Sequence, residues 1–143
     1  MENFCTKATL SGESYTTQLQ ARHHQWIGDE PIELGGEDKG MTPEEMICGA
    51  LATCTAITLK MYASRKEWPL DNVEVKVQHT SAKKRIDAEG VESDLYIRHV
   101  SLKGDLSEDQ KVRLIQIANK CPVHKTLSHA SDIDTRLAVC GGL

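Results

Sequence analysis

Strict alternation of apolar and polar residues runs through Asn72-Val-Glu-Val-Lys-Val-Gln-His79, the period of a strand with one buried face. Leu95-Tyr-Ile-Arg-His-Val-Ser-Leu102 reads as a second strand. The hydrophilic run from Ser81 to Asp94 reads as the link between them, with Lys83-Lys-Arg85 as a solvated hairpin tip. Upstream, Lys7-Ala-Thr-Leu10 and Tyr15-Thr-Thr-Gln-Leu-Gln-Ala21 flank the turn-like Ser11-Gly-Glu-Ser14, which predicts a β-hairpin. His23 to Ile27 is expected to continue a strand. Asp29-Glu-Pro31 and Gly35-Gly-Glu-Asp-Lys-Gly40 then mark a loop, where paired glycines allow a close backbone approach.

Thr42-Pro-Glu-Glu45 is a helix start: Thr42 at the N-cap, Pro43 at N1 and Glu45 closing a capping box. The helix is expected to run to about Ser64–Glu67 and to stop before Trp68-Pro69. From Met46 to Leu59 it carries no charge. A helix apolar on every side is expected to be buried on every side, which makes this one the central element. Ser107-Glu-Asp-Gln110 opens a second capped helix, with Val112, Ile115 and Ala118 on one stripe and Leu114 and Ile117 beside it. Pro122 stops that helix and can start a short third one through Leu127, and Ile133 to Val139 reads as a closing strand. The order βββ–α–ββ–α–β, without repeats or linkers, predicts a single α+β domain over residues 1–143, with antiparallel strands wrapped around central helices.

Composition narrows the function. The 143 residues are 39% hydrophobic and 27% charged, as in ordinary globular chains. A net charge of −4 and the lack of a dense basic block argue against nucleic-acid binding. The start, Met1-Glu-Asn-Phe-Cys-Thr, is not that of a secretory signal, and Met46–Leu59 falls short of the ~20 residues a membrane span needs. A cytoplasmic location is therefore expected. There, five cysteines point away from a disulfide framework and toward reduced, metal-binding or catalytic thiols.

Two cysteines stand in unlike places. Cys54 lies deep in the uncharged helix, where a small inert core residue is the plain alternative to chemistry. The helix dipole does little for it there, so a nearby cation or hydrogen-bond donor is needed to make a thiolate. Cys121 precedes Pro122, so it falls at an N-cap facing unpaired N–H groups, with His124 and Lys125 close by. A simple cap is the alternative, although cysteine is not a favoured one. Cys48 sits about 120° around the helix from Cys54 and reads as core. Cys5 and Cys140, near the termini, read as incidental. Zinc is a rival use for six histidines and five cysteines, but Cys121-Pro-Val-His124 is a half-site without a matching pair. His23 and His24 fall on opposite strand faces.

Several segments together resemble the OsmC/Ohr family, the osmotically inducible and organic hydroperoxide resistance proteins. They are Arg22-His-His-Gln-Trp-Ile-Gly-Asp-Glu-Pro31, Leu34-Gly-Gly36, Thr42-Pro-Glu-Glu45, Cys54-Thr-Ala-Ile-Thr58 and Cys121-Pro-Val-His-Lys-Thr-Leu127. The Asp-Glu-Pro and Trp68-Pro-Leu70 segments look most like a broad OsmC-like branch. The resemblance implies an intertwined homodimer with two sites at its interface. It also implies thiol-dependent reduction of organic hydroperoxides, with Cys54 peroxidatic and Cys121 resolving. Glu44 matches the glutamate of the Pro-Glu motif. The arginine that the hydroperoxide-resistance branch carries in its first hairpin has no counterpart in Ser11–Ser14, and Arg22 is the nearest replacement. A Cys54 sulfenic acid, a Cys54–Cys121 disulfide and an external dithiol reductant follow, with no bound cofactor or metal. Two other readings stay open: a non-enzymatic module of this fold holding a small apolar ligand, and a metal-binding protein.

Overall fold

The computed structural model describes residues 3–86, 88–90 and 92–138, and of 81–85 the backbone alone. Cys140 and Val139 lie outside the described residues. The elements follow in the order β1 (Lys7–Leu10), β2 (Thr17–Ala21), β3 (His24–Gly28), α1 (Pro43–Arg65), β4 (Asn72–Ile86), β5 (Glu92–Lys103), α2 (Glu108–Ala118) and α3 (Pro122–Leu127). This is an α+β fold with antiparallel pairing. The chain packs as two compact units, Met1–Thr53 with Val75–His99 and Cys54–Glu74 with Val100–Leu143.

In the first unit, β1, β2 and β3 form an antiparallel sheet in sequence order. His23 does not continue a strand. Arg22 and His23 are instead the two-residue turn between β2 and β3, since Ala21 pairs with His24. Arg22 takes φ 54, a left-handed conformation the tight turn imposes. The loop after β3 is organised by one carboxylate. Asp29 is buried and accepts hydrogen bonds from the N–H of Glu30 (2.8 Å), Lys39 (3.2 Å) and Glu37 (3.5 Å) and from the Thr16 hydroxyl (2.9 Å). Burial opposes its charge, but these donors outweigh burial and hold Asp29 below the usual carboxylate pKa. A Cβ at Gly36 would run into the Glu30 carbonyl, so the paired glycines do serve a close backbone approach.

The predicted cap of α1 forms: the Glu45 N–H reaches the Thr42 hydroxyl at 3.2 Å and the Glu45 carboxylate takes the Thr42 N–H at 2.9 Å. The other end closes with a Schellman motif. The Trp68 N–H bonds to the Ala63 carbonyl (2.9 Å) and the Glu67 N–H to that of Ser64 (3.1 Å), with Glu67 left-handed at φ 56. Glutamate strains that position and glycine does not. Glu67→Gly is expected to stabilise the protein by about 1 kcal/mol, read as a rise of about 3 °C in Tm. An unchanged or lower Tm would show that the cap carries no strain.

In the second unit, the core gathers Leu59 and Ala63 of α1 with Leu70, Leu106, Leu114, Ile117 and Ala118, and Tyr62, Trp68, Val73, Val100 and Leu102 pack against it. On α2 the buried stripe is Leu114, Ile117 and Ala118, continued by Cys121, which is the i, i+3, i+4, i+7 face. Val112 and Ile115, expected on the buried stripe, are exposed. The Ser107–Gln110 capping box forms as expected.

Three further expectations are corrected. The link at Ser81–Asp94 is largely strand, because β4 runs to Ile86 and β5 starts at Glu92. The two-stranded ladder extends pairing through residues whose pattern alone lacks an apolar face. Lys83–Arg85 therefore lie in β4 rather than at the tip, and their side chains are outside what is described. Residues 133–138 form no strand, and Ile133 and Leu137 are exposed, since alternation without a pairing partner makes no ladder. Finally, α1 is not buried on every side. Its buried line is Leu51, Thr55, Leu59 and Ala63, while Ile47 is 40%, Ile57 55% and Met61 59% exposed. By length and composition α1 also meets the requirements of a membrane span over its 23 residues, more than the uncharged segment alone suggested.

Candidate functional site

α1 and α3 bring two thiols together in the second unit. Members of the buried α1 line recur every fourth residue, and Thr55 belongs to it, so Cys54 sits at the margin of that line, half-buried. Cys121 ends the buried stripe of α2 and is wholly buried. It is also the N-cap of α3, as expected, with Pro122 at N1. Its Sγ accepts the His124 N–H at 3.4 Å. Both cysteines are free thiols, near enough for each to act on the other's acidity.

The two thiols are pushed apart in acidity. Burial raises Cys54, and donating its S–H to Cys121 raises it further, against the lowering effect of the Val123 N–H and the Thr58 hydroxyl. Burial also works to raise Cys121. It is outweighed by the hydrogen bond from Cys54, the N–H groups of His124 and Val123 and the Thr55 hydroxyl, so Cys121 titrates below an ordinary thiol. The two thiols titrate as one interacting pair.

Thr55 and Thr58 were given no role from sequence. Their signal was three threonines, at 53, 55 and 58, around Cys54 in an uncharged stretch of helix, with Thr55 fully buried.

Glu44 and Arg22 belong to the other unit. Glu44 stands in the first turn of α1, and Arg22 is exposed at the β2–β3 turn. There the Tyr96 phenol is raised by burial and then by the acidic groups of Asp94, Cys48 and Glu44. His79 stacks on Tyr96 at 4.8 Å between ring centroids and meets Asp94 at 3.2 Å. His23 and His24 are both exposed, their rings 4.0 Å apart. Among the described residues, no group of three or more histidine, cysteine or acidic side chains is placed to hold a metal ion.

Known structures share this architecture. The OsmC-like protein of Mycoplasma pneumoniae is 20% identical, with a TM-score of 0.72 over 89% of this chain and 88% of that one. An organic hydroperoxide resistance protein OsmC of Legionella pneumophila, also described as a predicted redox protein, is 18% identical, with a TM-score of 0.64 over 88% and 89%. The organic hydroperoxide resistance protein OhrB of Bacillus subtilis is 17% identical, with a TM-score of 0.61 over 87% and 90%. At such identities the likeness carries the fold alone. No curated protein matches the chain in sequence. The family model for OsmC-like proteins, however, matches residues 36–136, well over half the chain, including Cys54 and Cys121. The chain belongs to the OsmC-like protein family.

Proposed function

We propose that the protein is a cytoplasmic thiol peroxidase that reduces organic hydroperoxides, acting as a homodimer without a bound cofactor, metal, nucleic acid or membrane. The observation that carries this reading is the pair of neighbouring free thiols, Cys54 and Cys121, inside a family whose structural neighbours include organic hydroperoxide resistance proteins. The Cys54 thiolate attacks the terminal peroxide oxygen. The O–O bond breaks, the sulfur becomes a sulfenic acid and the alkoxide leaves as the alcohol. Cys121 displaces hydroxide from that sulfenic acid to form the disulfide, and an external dithiol is oxidised as it restores both thiols.

The exposed apolar side chains of α1 support the dimer. A helix bearing Ile47, Ile57 and Met61 in solvent is a face that a second copy of α1 covers. A second reading has one observation in its favour. In the first unit Leu10, Tyr15, Leu19, Pro43 and Met46 line a mostly apolar groove of about 380 Å³, room for a small apolar ligand in a non-enzymatic module.

Steady-state consumption of an alkyl hydroperoxide and of hydrogen peroxide, with a small dithiol as reductant, tests the first reading. Faster turnover of the alkyl hydroperoxide is expected, and no turnover of either leaves the binding module. After mild peroxide treatment, peptide mapping is expected to recover a Cys54–Cys121 link, which requires Cα atoms within about 7 Å. A Cys48–Cys54 link instead would overturn the assignment.

A further inference from the structure

Although the chain carries a net charge of −4, three cations gather around one phenol of the second unit. The Arg113 Nε donates to the Tyr62 hydroxyl at 3.1 Å, and its Nη1 donates to the Gln116 side chain at 3.2 Å. The same guanidinium lies 5.8 Å from the centre of the Tyr62 ring and the Lys66 ammonium 5.9 Å from it. Trp68 meets that ring edge-on, with 5.5 Å between centroids. Lys120 stands in the turn that ends α2 and adds its charge from there. The Arg113 hydrogen bond and the three positive charges outweigh burial and hold the Tyr62 phenol below the usual tyrosine pKa. Asp109 lies one turn before Arg113 and Glu67 lies beside Lys66, yet among the described residues none of the three cations forms an ion pair. Arg113, Gln116, Lys66 and Lys120 are all exposed. The patch borders the thiols. On α1, Cys54, Thr58 and Tyr62 recur every fourth residue, all half-buried, and Tyr62 stands about 12 Å beyond Cys54 along the helix. At the end of α2, Lys120 immediately precedes Cys121.

We propose that this patch is the docking surface of an acidic, dithiol-bearing protein that re-reduces the Cys54–Cys121 disulfide, with Arg113, Lys66 and Lys120 pairing with its carboxylates around Tyr62 and Trp68. This rests on the peroxidase reading, which calls for an external dithiol. The charge of the patch fits an acidic partner, and three cations free of internal carboxylates leave that charge for the partner to neutralise. Tyr, Trp and Arg at its centre are the side chains that anchor protein interfaces. Arg113 is already fixed by Tyr62 and Gln116, so pairing with a carboxylate orders little that is not ordered beforehand. Contiguity with the thiols places a docked partner beside the sulfur it must reach. One thiolate of the carrier attacks the half-buried Cys54 sulfur, the S–S bond breaks, and Cys121 leaves as a thiolate and takes up a proton. The second carrier thiol then displaces Cys54 from the mixed disulfide. The carrier is oxidised to its own disulfide, and the protons of its two thiols end on Cys54 and Cys121.

The test compares a glutamate-rich dithiol peptide with the same peptide carrying lysine in place of glutamate. Each rate of reduction of the oxidised protein is divided by the rate with neutral dithiothreitol. At low salt the glutamate peptide is expected to be about tenfold faster, and near ~1 M salt by less than about twofold. Lys66→Glu and Lys120→Glu are each expected to cut that preference about threefold, and Lys66→Gln and Lys120→Gln to cut it less. Lys111→Glu changes the net charge as much as either reversal, but Lys111 pairs with Glu108 instead, so this variant is expected to keep the preference. Binding is read without any disulfide. Peptides with serine for cysteine are titrated into the reduced Trp26→Phe protein, whose remaining tryptophan, Trp68, reports on the patch by fluorescence. The glutamate form is expected to bind more tightly than the lysine form, and the same variants to weaken it. Circular dichroism accompanies each variant, and two substitutions at each lysine keep the comparison open if one misfolds. Equal rates and equal binding of the two peptides overturn the inference and leave the peroxidase reading intact. A Trp68 signal that changes on dilution of the protein alone, while neither peptide binds, makes a second copy the occupant and also overturns it. If the glutamate peptide binds at the patch but mild peroxide makes no Cys54–Cys121 disulfide, the acidic-partner surface stands and the peroxidase reading fails.

Discussion

Cys54→Ser is expected to abolish peroxide turnover outright, whereas Cys121→Ser leaves one oxidation of Cys54 per subunit and no intramolecular disulfide. The difference follows from geometry and not only from order of attack. Cys54 is half-buried and so reachable by a substrate, while Cys121 is wholly enclosed beside it. A serine at position 54 is close to cysteine in size but has no accessible anion near neutral pH. Burst kinetics with limiting alkyl hydroperoxide and intact-mass detection of the products separate the cases. The Cys121→Ser protein is expected to give a sulfenic acid trapped at Cys54, formed in one fast phase. Full steady-state activity in Cys54→Ser would reduce Cys54 to a core residue. Multiple turnovers in Cys121→Ser with an unchanged rate would remove the resolving role.

The sequence carried local features further than long-range ones. The Thr42–Glu45 and Ser107–Gln110 caps are local, each written in four consecutive residues, and both form as read. The Cys121 N-cap was legible for the same reason, since Pro122 fixes a helix start whatever surrounds it. Elements that depend on distant pairing were less legible. Residues 81–86 enter β4 because β5 supplies their ladder, and residues 133–138 stay irregular because no strand among the described residues pairs with them. The acidity of the two thiols was also hidden. The helix-start argument alone made Cys121 the more acidic one, but Thr55 and Cys54 add donors that only folding brings to it. The buried line of α1 was missed because a helix apolar all round gives no periodic signal by which to choose a face.

That unchosen face leads to the second large effect: mixing two inactive variants is expected to regain activity. Glu44 lies ten residues before Cys54 on α1, about 15 Å of helix rise, beyond the reach of a glutamate side chain. Within one subunit it cannot act on the Cys54 sulfur directly. In a symmetric dimer whose α1 helices cross antiparallel through Ile47, Ile57 and Met61, the N-terminal turn of one helix approaches the middle of the other. The partner's Glu44 then anchors an arginine, with Arg22 the candidate in this chain, beside the new Cys54 thiolate and the leaving alkoxide, where charge-assisted hydrogen bonds act most strongly. The plainer role for Glu44, offsetting the positive end of its own helix, is worth only about 0.3–1 kcal/mol and predicts no exchange between subunits. Cys54→Ser homodimers are expected to be inactive, and Glu44→Ala homodimers to lose about two orders of magnitude in kcat/KM. Heterodimers of the two contain one site with both Cys54 and the partner's Glu44 intact, so an equal mixture is expected to recover about a quarter of parental activity on random pairing. Native mass spectrometry establishes that heterodimers have formed. Heterodimers present without regained activity would end the shared site and leave Glu44 as a helix-end residue, and a stable folded monomer at micromolar concentration in light scattering would end it sooner, by removing the second α1 on which it depends.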